Sequence, residues 1–234
     1  MNLEITAKNV PKYVALIPAA GVGTRMGAAI PKQYLQLGSK VILQHAVDAF
    51  LDFAQIRHVY VVVSPDDDYI DNYLQSSAKL SILRIGGASR RDTVCNGLHY
   101  LGKELRADDW VMVHDAARPG LNEELLTRLI SQVADSPVGG LLALPVVDTV
   151  KRVVNGKVQT VSRDGLWLAQ TPQMFRYQLL LQALENAESV TDEASAIEAA
   201  GYVPLLVEGH ACNLKVTLAS DMDLVANQLK TAHK

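Results

Sequence analysis

The residues best suited to chemistry form one dense segment near the amino terminus, Ala19-Ala20-Gly21-Val22-Gly23-Thr24-Arg25-Met26-Gly27, followed closely by Pro31-Lys32-Gln33-Tyr34. Glycines and alanines leave the backbone exposed, so successive N–H groups can point at phosphate oxygens. Arg25 adds a planar fork of donors and Lys32 a mobile point charge. Together they suit a polyphosphate better than a single carboxylate. A dinucleotide fingerprint, G-x-G-x-x-G, would need its third glycine one residue earlier and an acid about 20 residues further on. A P-loop would need G-x-x-x-x-G-K-[ST], which no register of the segment supplies. The plainer alternative is an ordinary strand-to-helix connection, against which Arg25 and Lys32 weigh.

Three further clusters carry weaker signals. After an apolar run at 110–113 come His114-Asp115-Ala116-Ala117-Arg118-Pro119. An Asp leaving a buried strand can hold Mg²⁺, which prefers oxygen ligands and keeps waters and substrate phosphates in its shell, or it can simply cap a turn. His114 has no partner at metal-ligand spacing and reads as structural. Gly86-Gly87-Ala88-Ser89-Arg90-Arg91-Asp92-Thr93 permits close approach to a flat base and offers Ser89 as a helix cap. In the carboxyl-terminal half, Arg163-Asp164, Thr171-Pro172-Gln173, Thr191-Asp192-Glu193-Ala194-Ser195 and Asn213-Leu214-Lys215-Val216-Thr217 add cations and hydroxyls. Taken singly, each reads as well as a cap, a turn or a solvated strand residue.

The elements that would position these clusters alternate in type. Apolar runs at Tyr13–Ile17, His58–Val63, Ser81–Ile85, Trp110–Val113 and Gly140–Val147 predict buried strands, and helical spacing of apolar residues predicts helices at Leu43–Phe53, Asp67–Leu74, Arg91–Leu101 and Glu123–Val133. That order argues for a mostly parallel sheet with helices on both faces, in which ligands gather at the carboxyl ends of the strands. The alternation breaks at 149–161, where two β-rich runs flank Asn155-Gly156, a strong signal for a tight hairpin. An isolated hairpin is marginal in water, so it packs either on a second subunit or within its own chain. At 234 residues, the length favours a single domain, 1–234, with this arm at 145–165 inside it.

Composition removes several function classes. Lys and Arg total 22 against 25 Asp and Glu, which speaks against a nucleic-acid or anionic-membrane surface. Any anion must be held locally, and Lys8, Lys12, Arg25, Lys32 and Lys40, opposed only by Glu4, surround the glycine segment. Two cysteines, Cys95 and Cys212, match neither a disulfide framework nor a metal spacing. With no signal-like segment and no membrane-length apolar run, the expected location is the cytoplasm.

Taken together, the clusters resemble the 2-C-methyl-D-erythritol 4-phosphate cytidylyltransferases of non-mevalonate isoprenoid biosynthesis. The likeness runs through Pro-Ala-Ala-Gly-x-Gly-x-Arg-Met-Gly at 18–27, Pro-Lys-Gln-Tyr at 31–34, Gly-Gly-Ala at 86–88 and His-Asp-Ala-Ala-Arg-Pro at 114–119. It continues through Asp-Thr-Val-Lys at 148–151, Gln-Thr-Pro-Gln at 170–173, Thr-Asp-Glu-Ala-Ser at 191–195 and Asn-Leu-Lys-Val-Thr at 213–217. The resemblance implies a Rossmann-like three-layer α/β/α nucleotidyltransferase fold with a mostly parallel twisted sheet and a projecting β-hairpin arm. It implies transfer of CMP from CTP to methylerythritol phosphate with Mg²⁺ or another divalent cation. Pro18, Ala19, Ala20, Gly21, Gly23, Arg25 and Lys32 would hold the CTP phosphates, while Gly87, Ala88, Arg90, Thr93 and Ala116 would complete the nucleotide site. Asp115 would sit at the metal and the acceptor hydroxyls, with Lys215 near the phosphates. Arg163, Thr171 and Thr191 would bind the acceptor. The family's dimeric arm implies a homodimer through 145–165, with Arg118 and Thr149 serving across the interface. Thr93 stands where the family more often has Ser. The chain's end soon after the last motif leads to the expectation of a monofunctional enzyme. A cytidylyltransferase for another alditol phosphate, such as ribitol 5-phosphate, is the rival within the class. A non-catalytic nucleotide sensor and a nicotinamide-dependent dehydrogenase are rivals outside it.

Overall fold

The computed structural model describes residues 10–21 and 30–232; Gly23 and Arg25 of the glycine segment therefore lie outside the described residues. Strand β1 (Tyr13–Pro18) is followed by a short hairpin, β2 (Gln36–Leu37) and β3 (Lys40–Val41), and by helix α1 (Ile42–Leu51). Then come β4 (Ile56–Val62), β5 (Leu80–Leu83), α2 (Arg90–Leu101), β6 (Trp110–Val113), α3 (Glu123–Val133) and β7 (Gly139–Pro145). The arm, β8 (Val150–Val154) and β9 (Lys157–Val161), precedes β10 (Trp167–Arg176), α4 (Tyr177–Asn186), α5 (Glu193–Ala199), β11 (Leu205–Glu208) and α6 (Ala219–Ala232).

Seven strands form one sheet in the order β11-β7-β10-β6-β1-β4-β5. Every neighbouring pair is parallel except the two that involve β10, which runs against both β6 and β7. Successive side chains of a strand face opposite ways, and here both directions are apolar. Ala15, Ile17, Val59, Val61 and Met112 pack against α1 and α3 through Leu43, Val47, Phe50, Leu125 and Leu129. Val14, Leu16, Tyr60, Val62, Val111 and Val113 pack against α2, α4 and α5 through Val94, Leu98, Leu180, Leu184 and Ile197. The outcome is the three-layer α/β/α arrangement expected from the alternating pattern. A smaller cluster of Leu37, Ile42, Val216 and Val225 seats α6.

The predicted helix at Asp67–Leu74 is not formed. Only a 3-10 turn, Ile70–Asn72, occupies that stretch. The Asp67 carboxylate accepts hydrogen bonds from the amides of Tyr69 and Ile70, both at 2.9 Å, and so caps the one short turn that does form. The buried pair Ile70 and Leu74 imitates helical spacing without a helix. The arm at Asn155-Gly156 forms as expected: φ is 50° at Asn155 and 74° at Gly156, both left-handed, as a two-residue hairpin turn of this hand requires.

Candidate active site

The carboxyl ends of β1, β5 and β6 converge on a cleft of about 270 Å³. From β1 come Pro18, Ala19, Ala20 and Gly21; from the turn after β5 come Gly87, Ala88, Ser89, Arg90 and Thr93; from the end of β6 come Asp115, Ala116 and Ala117. Lys32, Gln33 and Lys215 complete the lining. Every described residue that the sequence assigned to the nucleotide is thus in one place.

Two of the walls are small by necessity. A Cβ on Gly86 would press against that of Ala20 and stand 2.7 Å from the Val63 carbonyl oxygen, so the two loops touch only because position 86 is glycine. A Cβ on Gly87 would collide with Asp92. Ser89 caps α2: its hydroxyl accepts the Asp92 amide, while the Asp92 carboxylate accepts the Ser89 amide in return. Thr93, 1% exposed, lies beneath the wall, where its hydroxyl accepts from the Gly87 amide at 3.1 Å and donates to the Ser89 carbonyl at 2.9 Å. Its position makes it a brace for the base-side loop.

The electrostatic centre is Asp115. Arg90 Nε lies 3.0 Å from one of its carboxylate oxygens, and Lys215 Nζ at 2.8 Å and Arg118 Nε at 3.6 Å face the other. Burial would raise the Asp115 carboxyl, but the charges of Arg90, Lys215 and Arg118 outweigh it and hold the group well below the usual carboxylate range. Arg90 is itself gripped from behind by Glu193, its two terminal nitrogens donating at 2.6 and 3.0 Å. Burial would lower the Arg90 guanidinium, but Glu193 and Asp115 raise it above its ordinary value. Lys32 donates to the Val216 carbonyl at 3.0 Å, which ties the turn at 32–34 to the segment bearing Lys215.

Beneath this centre His114 is fully buried and makes no contact with the cleft. Its Nε2 faces the Arg118 carbonyl at 3.1 Å and its Nδ1 faces the Thr171 hydroxyl at 2.9 Å. The carbonyl can only accept, so Nε2 carries the proton, Nδ1 accepts from Thr171, and the Thr171 oxygen accepts the Asp115 amide at 3.0 Å. Burial lowers the imidazole to about 4.

Several expected residues lie elsewhere. Arg118 was expected to serve across a subunit interface; the structure places it in its own chain's wall, 9% exposed, donating to the carbonyls of Asn213 and Ala169 while facing Asp115. Thr171 is buried and its hydroxyl is committed to His114 and Asp115. Thr191 lies on an adjoining cleft of about 300 Å³ that shares Ser89 and Arg90 with the first. Thr149 and Arg163 belong to the exposed arm region, where the Arg163 guanidinium donates to the Val147 carbonyl. Two residues of evident importance received no role from the sequence. Glu193 is 1% exposed and reads locally as a helix start, and Gln33 is masked by the better-marked Lys32 beside it.

Among the described residues no three His, Cys, Asp or Glu side chains gather as a metal site, and no helix is long and apolar enough to cross a membrane. A divalent ion held by one carboxylate plus phosphate oxygens and water needs no such gathering, and the ionised Asp115 in the cleft fits that donor set.

A family model described as 2-C-methyl-D-erythritol 4-phosphate cytidylyltransferase matches residues 13–231. Curated proteins of that name resemble the chain over nearly its whole length. The one from Dechloromonas aromatica is 48% identical over 225 residues, covering 94% of this chain and 99% of its own. The one from Laribacter hongkongensis is 52% identical over 218 residues, covering 91% and 94%. The fold superposes on a crystal structure of a 4-diphosphocytidyl-2C-methyl-D-erythritol synthase with a TM-score of 0.84 at 41% identity, covering 94% of this chain and 99% of that one. The Francisella tularensis cytidylyltransferase gives 0.81 at 36% identity, covering 94% and 100%.

Proposed function

The chain belongs to the 2-C-methyl-D-erythritol 4-phosphate cytidylyltransferase family, and from that premise we propose how its cleft performs the family's reaction, transfer of the cytidylyl group of CTP to methylerythritol phosphate. An oxygen of the acceptor's phosphate attacks the α-phosphorus in line; the new P–O bond forms as the bond to the β-phosphate breaks, and pyrophosphate leaves with the displaced electron pair. The nucleophile is a phosphate monoester, already largely ionised near neutral pH, so no strong base is needed. Among the described residues the cleft offers none: Asp115 is held ionised by three cations and makes a poor proton acceptor. Catalysis is therefore positioning plus charge neutralisation.

Lys32 and Arg25 meet the charge that grows on the α-phosphate and leaving group, with the backbone of Ala19–Gly21 and Gly23 cradling the phosphates. Gly87, Ala88 and Ala116 frame the nucleoside, Thr93 braces that frame, and Arg90 and Lys215 face the centre. Thr191 and the arm residues Thr149 and Arg163 take the acceptor, the arm reaching it from a second subunit. Thr171 supports Asp115 from below. Asp115, together with phosphate oxygens, would hold Mg²⁺ or a similar ion, which would supply further charge neutralisation. The arm's exposed Val153, Val154 and Val158, continued by Leu166, Trp167 and Leu168, supply an apolar surface for a homodimer. The unpaired Cys95 and Cys212 accord with work in the cytoplasm.

The observation that carries the reading is the convergence of Arg90, Lys215 and Arg118 on Asp115 inside a cleft walled by small residues. Pyrophosphate release with each of four nucleoside triphosphates against methylerythritol phosphate and ribitol 5-phosphate tests it. CTP with methylerythritol phosphate is expected to give the highest kcat/KM, and a higher value with ribitol 5-phosphate would overturn the acceptor assignment.

A further inference from the structure

The turn at 32–34 sends three consecutive side chains into three separate segments. Lys32 reaches the Val216 carbonyl, Tyr34 donates to the Asp67 carboxylate at 2.7 Å, and Gln33 reaches the stem of the glycine segment. Gln33 is 4% exposed, and its side-chain amide nitrogen donates to the Ala19 carbonyl at 2.8 Å and to the Gly21 carbonyl at 3.0 Å. An amide nitrogen has two hydrogens, and both are spent on this one stretch of backbone. Tyr34, packed between the rings of Tyr69 and Tyr73 at centroid distances of 5.5 Å each, fixes the turn from which Gln33 projects.

We propose that Gln33 is a positioning residue for the nucleotide's phosphates, a clamp that sets the direction of the glycine segment's backbone donors; this rests on the reading that the segment holds the CTP phosphates. In a trans peptide the C=O and the following N–H point opposite ways. Drawing the Ala19 carbonyl onto Gln33 therefore turns the Ala20 amide away from Gln33. Drawing in the Gly21 carbonyl holds the end of the stem to the same side chain. Gly86 closes the other side, since the Ala20 Cβ lies where a Cβ on residue 86 would stand. The stem is held from two directions, and the Gln33 hold makes no bond to the nucleoside wall at Gly87 and Ala88. The clamp should thus govern affinity for the β- and γ-phosphates and leave recognition of cytidine and acceptor alone.

The test compares Gln33→Met, close in volume but without donors, and Gln33→Glu, which sets a carboxylate oxygen against two carbonyls. Calorimetric Kd values for CTP and CMP are measured without acceptor, with thermal unfolding of each variant alone and the KM for methylerythritol phosphate alongside. Loss of two hydrogen bonds predicts a CTP Kd raised about tenfold or more in the variants, with the CMP Kd and acceptor KM unchanged within about twofold by the same reasoning. If the wild type binds CTP no more tightly than CMP, the phosphate reading of the segment fails first. If the wild type prefers CTP and both variants keep that preference, the clamp is refuted. If CTP and CMP weaken equally, or if neither variant folds, Gln33 is a structural residue and the proposal is likewise overturned.

Discussion

Acid should weaken the fold through His114 before it titrates Asp115. The imidazole lies under Asp115 with every polar atom satisfied in its neutral form: Nε2–H to the Arg118 carbonyl, Nδ1 from the Thr171 hydroxyl. Burial holds its pKa at about 4, against 6.5 for the free side chain. The folded value is the lower one, so the unfolded chain takes up the proton first. The stability linked to His114 is therefore fully present above pH 6.5, is lost progressively as pH falls towards 4, and is constant below that. At about 1.4 kcal/mol per pH unit the whole interval amounts to about 3 kcal/mol, of which about 2 kcal/mol is gone by pH 5. Urea unfolding between pH 7.5 and 4 measures this directly. His58, also lowered chiefly by burial, acts in the same direction, so the control is His114→Gln, which retains an N–H for the Arg118 carbonyl and cannot titrate. The variant should be less stable at pH 7, since the Thr171 hydroxyl loses its acceptor, and its stability should fall by about 2 kcal/mol less than the wild type's between pH 7 and 5. Identical pH slopes in the two proteins, or an NMR titration of His114 near 6.5, would refute the reasoning.

Lys32→Met should lower kcat by roughly 100-fold, as loss of a donor to developing charge does, with a melting temperature close to the wild type's; a near-normal kcat in single-turnover pyrophosphate release would remove Lys32 from the reaction. Glu193→Gln breaks the grip on Arg90 and should cost about 2 kcal/mol in denaturant unfolding, less than the roughly 3–5 kcal/mol typical of an opened buried pair, because Arg90 keeps Asp115. No change in unfolding midpoint would show the pair to be dispensable. Gly86→Ala forces apart the loops bearing Ala20 and Val63 and should destabilise by about 1–3 kcal/mol while weakening CTP binding; an unperturbed variant would mean that the loops yield freely. Val158→Asp places a charge on the arm's apolar face, and light scattering should report a shift from dimer towards monomer. A variant that remains as dimeric as its parent would place the subunit contact elsewhere.

What could be read from the sequence followed locality. Strand β6 and helix α3 lie where their patterns put them, because a fully apolar four-residue run and an amphipathic run capped by Asn122 each satisfy their own rules. The hairpin was legible from Asn155-Gly156 alone. Strand β10 was not, since its first three residues are exposed, the next six buried, and its ladder to β7 is interrupted between Ala169 and Gln173. Nothing in its pattern announces a strand inserted antiparallel between two parallel ones. The same holds in the site. Asp115 could be suspected from its place after β6, but Glu193 becomes significant only beside Arg90, 103 residues away in sequence. Arg118 was expected to serve across an interface; its bonds to the carbonyls of Asn213 and Ala169 were not legible, because those groups come together only in the folded chain.

The distribution of charge explains why one aspartate stands amid so many cations. Among the described residues, Lys32, Arg90, Arg118 and Lys215 face the region against Asp115 and Glu193, leaving two positive charges in excess. Cations gathered for a polyphosphate repel one another until it arrives, and long side chains would splay into water. Glu193 fixes Arg90 by a two-point grip, while Asp115 draws Lys215 and Arg118 toward the same spot, so their orientation is established before the nucleotide binds. Such preorganised charge stabilises a transition state without reorganisation at the moment of reaction. On this account, Asp115→Asn would loosen the cations and increase the net positive charge together. Ground-state affinity for CTP would hold or rise while kcat fell, the signature of lost transition-state stabilisation rather than lost binding. A loss of CTP affinity in that variant, measured without a divalent ion so that Asp115 acts on the cations alone, would refute this orienting role.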